Sequence, residues 1–301
     1  MDRLTELHVL ITIAETGSLA GAARRLRRSP PSVTRILADL EERLGVRLIE
    51  RSSRRCAPTE AGRQLVEQAR HLIGSYEDAT SEASGEATAP RGSIKLTAPL
   101  VFGREHVAPL LLTFLDAQPA INVELLLSDR VNDLQEENID LGVRIGRIAD
   151  TSLIARRIGT VRRVVVASPN YLKAHGEPAA PADVSGHHIV QHSDLGPGTP
   201  WEFGGERARN IPVTPRLTVN QADVAVAAAL AGRGLVKALS YQVARHVAEG
   251  RLVRVLRDFE TGPMPVHIVW PESRRPLQRV RLLIDHLVAG LQPLDVLQEV
   301  S

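Results

Sequence analysis

The residues from Ser29 to Arg35, SPPSVTR, put three hydroxyls, two adjacent prolines and an arginine within two helical turns. Their chemistry is hydrogen bonding, not bond making. An arginine can donate two parallel bonds to a guanine edge, and hydroxyls can bond bases or phosphates. Adjacent prolines are tolerated only in the first turn of a helix, where backbone N–H groups have no partner to lose. Pro31 also turns residue 30 away from α geometry, which sharpens the start. Ser29, Pro30 and Pro31 therefore predict a helix that begins at a fixed place. Val33, Ile36, Leu37, Leu40 and Leu44 form its apolar stripe, leaving Ser32, Thr34 and Arg35 on the other side.

The surroundings are basic. From Ala20 to Arg55 there are ten arginines against Asp39, Glu41, Glu42 and Glu50, although the whole chain carries a net charge of only +2. Such clustering points to a polyanion partner. RLIERSSRRCAPTEAG, residues 47–62, follows the apolar pair Leu48 and Ile49 with a basic hairpin tip and a new helix cap at Thr59. Arg51, Arg54 and Arg55 on such a wing can lie along phosphates or enter a minor groove.

Catalytic chemistry finds less support. The chain has no Gly-x-Ser-x-Gly elbow and no phosphate-cradling loop of the Walker type. In HHIVQH, His188 and His192 would share one face of a strand but sit about 13 Å apart, too far for one metal, and neither they nor His187 form an expected metal site. Cys56 beside Arg54 and Arg55 is a candidate oxidant sensor, against the plainer reading of a small residue in the wing. As the only cysteine it rules out an internal disulfide framework and fits a reducing cytosol. An enzyme is not expected, nor a cofactor.

The elements that must position these residues are legible. Leu4, Leu7, Leu10, Ile11 and Ala14 have helical spacing, Gly17 suits the stop and Ser18 the next N-cap. Ala20, Ala22 and Ala23 allow close packing of a second helix, and Gly45 ends the third. After Thr59, the residues Leu65, Ala69, Leu72, Tyr76, Ala79 and Ala83 repeat at spacings of a heptad seam, which predicts a long dimerising helix; the alternative is one face of a helix lying on its own domain. Residues 84–93 lose the stripe and read as a hinge. From Ser93 onward SIKLTAPL, INVELLLS and IDLGVRIG read as strands, EHVAPLLLTFLDAQ as a helix and RVNDLQEEN as a short helix. A second block of the same kind runs from RRVVVASPNYL to LVKAL, and PVHIVWP with LQRVRLLIDHLVAGL returns to the first. The alternation predicts mostly parallel sheets covered on both sides.

AETGSLAGAARRL, SPPSVTRILADLEERLGVRLIER and PTEAG, in this order and spacing, resemble the LysR-type transcriptional regulators. The runs PLVFG, VRIG, ASPNYLKAHGEP and EGRLVRVL resemble the subgroup that includes the neisserial contact-regulated repressor. The resemblance covers nearly the whole chain. It implies an α+β multidomain protein: a winged helix-turn-helix over 1–58, a dimerising linker helix over 59–88, and an effector-binding domain over 89–301 similar in architecture to periplasmic solute-binding proteins. Lobe I would comprise about 93–162 and 266–301, and lobe II about 163–265. It also implies a dimer or tetramer on a partly palindromic double-stranded operator, with RNA polymerase as a further candidate partner. The sequence departs from the family at three places. Pro30 stands where members usually carry a base-reading Gln, Gln221 follows Asn220 where Asp is usual, and Ser240 replaces a common proline.

Ligands of doubly wound sheets settle beyond the carboxyl ends of strands, where helix N-termini offer free N–H groups. Thr97, Ala98, Pro99, Leu100, Ser128, Asn220 and Gln221 meet that description. Arg144 could pair a ligand carboxylate or close a structural ion pair, and Phe102 and Trp201 are candidate cleft walls. The expected ligand is a small-molecule effector. At 301 residues, 43% hydrophobic and 24% charged, with no apolar run of membrane-spanning length and no signal peptide, the chain reads as a soluble cytoplasmic protein of two or three units. A solute-binding or scaffold protein is the alternative, and it leaves the basic N-terminal unit without a role.

Overall fold

Short polar side chains start the first three helices. Asp2 accepts a bond from the Leu4 amide ahead of α1 (Arg3–Thr16), Ser18 from Gly21 ahead of α2 (Leu19–Arg25), and Ser29 from Ser32 ahead of α3 (Pro30–Leu44). Gly17 and Gly45 end α1 and α3 in the left-handed conformation that glycine adopts without penalty. The computed structural model describes residues 2–51, 56–84, 90–130, 132–192, 199–204, 209–272 and 276–298, without the side chains of residues 51, 71, 75, 77–79 and 81–84. The chain divides into two units, residues 1–89 and 90–301.

In the first unit, Val33, Ile36, Leu37 and Leu40 of α3 pack with Val9, Leu10 and Ile13 of α1 and with Ala22 and Ala23 of α2. Burying each large aliphatic side chain contributes about 1.5–3 kcal/mol. The buried face of α1 differs from the expected one: Val9 and Ile13 are inside, while Leu4, Leu7, Ile11 and Ala14 are only half-buried. Helices packed on several sides bury more than one stripe, and α1 meets both α2 and α3 as well as α4 (Glu60–Ser84). Between α3 and α4, β1 (Ile49–Arg51) pairs antiparallel with β2 (Cys56–Pro58) to make the wing.

The PTEAG motif has a physical basis. The Thr59 hydroxyl accepts from the Gly62 amide and donates to the Arg47 carbonyl, while the Thr59 amide donates to the Leu48 carbonyl. This draws α4 so close to β1 that a Cβ on Gly62 would lie 2.0 Å from the Leu48 oxygen.

Along α4 the heptad seam does not form one continuous exposed stripe. Leu65 packs on the helix-turn-helix core and Ala69 is fully buried, whereas Leu72 and Tyr76 are 58% and 55% exposed. The first half of the seam is thus used inside the chain, and Ala79 lies outside the described side chains.

The second unit runs β3 (Gly92–Ala98), α5 (Leu100–Phe102), a π-helical turn (Gly103–Val107), α6 (Ala108–Ala117), β4 (Ile121–Leu127), β5 (Leu141–Ile145) and β6 (Leu153–Val161). After Arg162 come β7 (Arg163–Ala167), α7 (Pro169–His175), β8 (Ile189–His192), β9 (Trp201–Phe203), β10 (Arg209–Ile211), β11 (Pro215–Val219), α8 (Ala222–Leu230), β12 (Leu235–Leu239), α9 (Ser240–Ala248) and β13 (Val253–Val255). The chain then returns through β14 (Met264–Pro271) and α10 (Gln278–Leu291). Where a short helix was expected over RVNDLQEEN, residues 134–138 form turns: the Asp133 carboxylate caps them at the Gln135 and Glu136 amides, but Asn138 turns left-handed with φ 51 and ends the run after little more than one turn.

One sheet has the order β4-β3-β5-β14-β6 and the other β11-β8-β12-β7-β13. In each, four of the five strands point the same way, as expected, and one, β14 or β7, runs antiparallel between two of them, so that two ladders are parallel and two antiparallel. The cause lies in the crossings. A strand arriving from the other lobe enters at the carboxyl edge of the parallel strands: Arg163, at the start of β7, pairs with Leu239 at the end of β12, and Val266 of β14 pairs with Ile145 at the end of β5. Both crossings therefore run past the edge where ligands bind in such sheets.

Gly62→Ala is expected to destabilise the N-terminal unit by about 1–3 kcal/mol, since backbone must shift to admit the methyl; chemical denaturation of the variant measures this, and an unchanged midpoint would contradict the close packing of α4 on β1.

Candidate nucleic-acid interface and ligand cleft

At the start of α3 the buried stripe fixes what faces outward. Ser29, Pro30, Pro31 and Arg35 are exposed, and Ser32 and Thr34 are half-buried. The Thr34 hydroxyl donates to the Pro30 carbonyl at 3.0 Å. Its proton is thus committed inside the helix, and what it offers outside is an acceptor and a methyl group.

The arginines of the basic cluster divide into two sets. Arg25 pairs with Glu15 at 2.9 Å, and Arg43 pairs with the buried Glu6. Among the described residues, Arg24, Arg27, Arg28, Arg35 and Arg47 have no carboxylate partner, so their charge is available to a polyanion. Arg27 makes the turn between α2 and α3 with φ 52, a left-handed conformation that costs an L-residue roughly 1–2 kcal/mol and carries no glycine signal.

The wing is anchored by a residue that sequence reasoning missed. The Glu41 carboxylate on α3 accepts from the Leu48 and Ile49 amides at 2.7 and 3.0 Å, tying the recognition helix to β1. Glu15 ties α1 to α2 through Arg25 and to α4 through Arg70. Cys56 is half-buried against the core, and its amide donates to Gly17. Arg54 and Arg55 lie outside the described residues, as does the Arg51 side chain.

In the second unit, a cleft of about 130 Å³ opens at the carboxyl edges of the strands. Thr97, Ala98 and Pro99 line it from the end of β3, Ser128 from the end of β4 and Arg144 from β5. The facing wall holds Arg163, His192, Leu239, Tyr241 and Gln242, and Asp129 and Arg130 stand at the lobe I side. Arg130, Arg144 and Arg163 outnumber the one lining carboxylate, Asp129, which already accepts from the Leu100 amide at 3.0 Å. The cleft thus favours an anion. Burial pulls the Arg144 guanidinium below its usual pKa, opposed by Glu137, Asp133 and Asp150, and one of its nitrogens donates to the Asn132 carbonyl.

Other expected cleft residues are elsewhere. Leu100 packs on the lobe I core, and its amide is taken by Asp129. Phe102 is fully buried, with its ring edge-on to Tyr241 at 5.3 Å, so it backs a cleft residue without lining the cleft. Trp201 is buried in the core of lobe II. Asn220 is exposed and Gln221 stands at the N-cap position of α8 without a side-chain capping bond, neither at the cleft. The reason is common to these: ends of strands and helices look alike in sequence, whether they meet the opposite lobe or solvent. His187 contacts the Tyr171 hydroxyl and His188 approaches His175, whereas His192 lines the cleft, so the three histidines do not converge.

Residues 4–63 match the bacterial regulatory helix-turn-helix protein, lysR family, and residues 87–292 match the LysR substrate binding domain. The chain belongs to the LysR family of transcriptional regulators. It is 30% identical to the HTH-type transcriptional activator TtdR of Escherichia coli (strain K12), covering 95% of this chain and 93% of that protein. It is 28% identical to the HTH-type transcriptional regulator CrgA of Neisseria meningitidis, covering 95% and 96%. The solved structure of CrgA superposes with a TM-score of 0.62 over 95% of this chain and 98% of that one, at 28% identity. The full-length Vibrio cholerae virulence activator AphB gives 0.61 over 96% and 99%, at 26% identity. LysR regulators bind DNA and form oligomers, and the second unit is this family's effector-binding domain. Among the described residues no helix is long and apolar enough to cross a membrane.

In this LysR regulator the cleft wall rests on a histidine. The His106 ring lies tilted against Phe102 at 5.1 Å and 6.0 Å from Tyr241, and burial holds its pKa below the ordinary 6.5, opposed by Glu105. Burial likewise lowers His187 and His267. A folded-state pKa below the unfolded value means that unfolding takes up protons. The stability contribution is complete above pH 6.5 and is lost as the pH falls through the lower folded values. Denaturant titrations of the effector-binding domain from pH 8 to pH 5 are expected to show stability falling below about pH 6.5, with a shallower fall in His106→Phe; an identical slope in the variant would exclude His106 as a contributor.

Proposed function

We propose that two copies of the chain hold two α3 tips on the halves of a partly palindromic operator, and that an anionic small molecule in the cleft alters their spacing. The observation that carries the DNA reading is the solvent-facing start of α3, where Arg35 stands unpaired among the described residues opposite a fully buried stripe. Arg35 would read a base edge, with Ser32 and Thr34 beside it and Ser29, Pro30 and Pro31 close to the backbone or a thymine methyl. Arg51, Arg54 and Arg55 on the wing would follow phosphates or the minor groove. With Pro30 in place of an amide, the specificity falls more heavily on Arg35.

Pairing of the copies would use Leu72 and Tyr76, large apolar side chains left exposed on one face of α4, with Ala79 one turn beyond. Leu65 and Ala69 would set the direction of the helix from within the chain. A tetramer built from two such dimers, contact with RNA polymerase, a cytoplasmic location and the absence of catalysis complete this reading. In the cleft, Thr97 and Ser128 would supply hydroxyls and Arg130, Arg144 and Arg163 positive charge to the effector. The effector shifts the population only if it binds one lobe arrangement better than the other.

Mapping the chromosomal sites occupied by the protein supplies the operator for the test. Arg35→Ala is expected to cost about 1–3 kcal/mol on that operator and to relax the preference for one base, while random duplex is bound as before; an equal loss on both duplexes in a mobility-shift titration would remove the base-reading role. Leu72→Glu is expected to convert the dimer to monomer in sedimentation and to weaken operator binding. A variant that stays dimeric would move the interface away from α4.

A further inference from the structure

Arg162 and Arg163 are consecutive residues at the crossing from lobe I to lobe II. Side chains of consecutive extended residues leave the backbone on opposite sides, and these two line different cavities. Arg163 faces the cleft, while Arg162 faces a larger cavity of about 410 Å³. α9 separates the two spaces in the same way. Tyr241 and Gln242 line the cleft, whereas Ser240, Val243, Ala244 and Val247, at i, i+3, i+4 and i+7, line the second cavity. Val161 at the end of β6 and Val296 in the turn Asp295–Leu297 supply walls from lobe I. The cavity therefore has a wall on each lobe, and its volume falls in the range of about 300–1,000 Å³ that small-molecule sites occupy.

Its lining selects a chemistry. The walls are aliphatic and contain no aromatic ring among the described residues. Arg254 reaches the edge but is held by both oxygens of Glu260. Arg162 is half-buried, and although its amide is held by the Ser240 hydroxyl at 3.1 Å, its guanidinium has no ion-pair or hydrogen-bond partner among the described residues. A half-buried cation beside apolar walls complements an aliphatic chain ending in a carboxylate. Asp295, exposed at the rim, disfavours a second negative charge on the ligand.

We propose that this hinge cavity is a second ligand site, taking an aliphatic monocarboxylate, separate from the effector cleft. Because its walls come from both lobes, its occupant biases the same lobe arrangement as the cleft ligand, so the two are coupled. The site itself rests on neither the DNA reading nor the cleft reading, and only its coupling to the effector rests on the latter.

The test is calorimetric titration of the full chain with octanoate, and with octanol as the uncharged comparator. One saturable octanoate site per chain is expected, with octanol weaker by about tenfold, the value of one charge-assisted contact. Ala244→Leu, which fills the cavity, abolishes octanoate binding. Arg162→Gln, which needs no repacking, removes the preference for octanoate over octanol. Arg144→Gln, in the cleft, leaves octanoate binding as it was. The proposal is overturned by the absence of saturable binding to the unaltered chain, or by an octanoate-to-octanol ratio that Arg162→Gln does not change. It is equally overturned if Arg144→Gln and not Ala244→Leu removes binding. Binding that arises only after removal of residues 299–301 would assign the cavity to the chain's own C-terminus and overturn it too.

Discussion

What α3 buries decides what it shows. Val33, Ile36, Leu37 and Leu40 are all within 1% of complete burial, and a helix whose side chains recur every 3.6 residues has no freedom to turn once such a stripe is seated. Rotating α3 to present another face would expose several large aliphatic groups at about 1.5–3 kcal/mol each. The position of Arg35 is therefore a consequence of the core. The Ser29 cap and the proline pair set where the helix begins, and the stripe sets how it is turned.

The same core reaches the wing through a polar link. Glu41 shares α3 with the buried stripe, and by bonding the Leu48 and Ile49 amides it makes the helix and the wing one piece. Thr59 and Gly62 then hold α4 against the Leu48 carbonyl, so the long helix leaves the unit at a direction set by backbone contact. The exposed pair Leu72 and Tyr76 lies beyond this anchored section, which explains why one apolar repeat serves as core at one end and stays open at the other.

In the effector-binding domain the governing constraint is that the chain crosses between sheets twice. Strands arriving from the opposite lobe enter at the carboxyl edges, and that is why β7 and β14 run antiparallel to their neighbours. The crossings also bring charge to the hinge. Arg162 and Arg163 follow one another there, and the alternation of an extended chain sends one guanidinium to each side. α9 stands between the two cavities with a different face turned to each.

Local periodicity, capping residues and ordered motifs were enough to determine the helix-turn-helix, the wing, the alternating strands and helices and the LysR membership, because each of these depends on residues near one another in the chain. Thr97, Pro99, Ser128 and Arg144 could be placed at a cleft because strand ends are local features too. The misplacements have a different origin. Phe102 and Trp201 went to cores, Asn220 and Gln221 to an edge away from the cleft, and Ala69 to an internal contact, since whether an apolar or polar residue meets solvent, a neighbour or a ligand depends on elements far off in sequence. The role of Glu41, the antiparallel entry of β14 and the hinge cavity were likewise settled by contacts between distant segments. Short-range spacing specifies the elements; only the way they are brought together specifies which of their faces remain open.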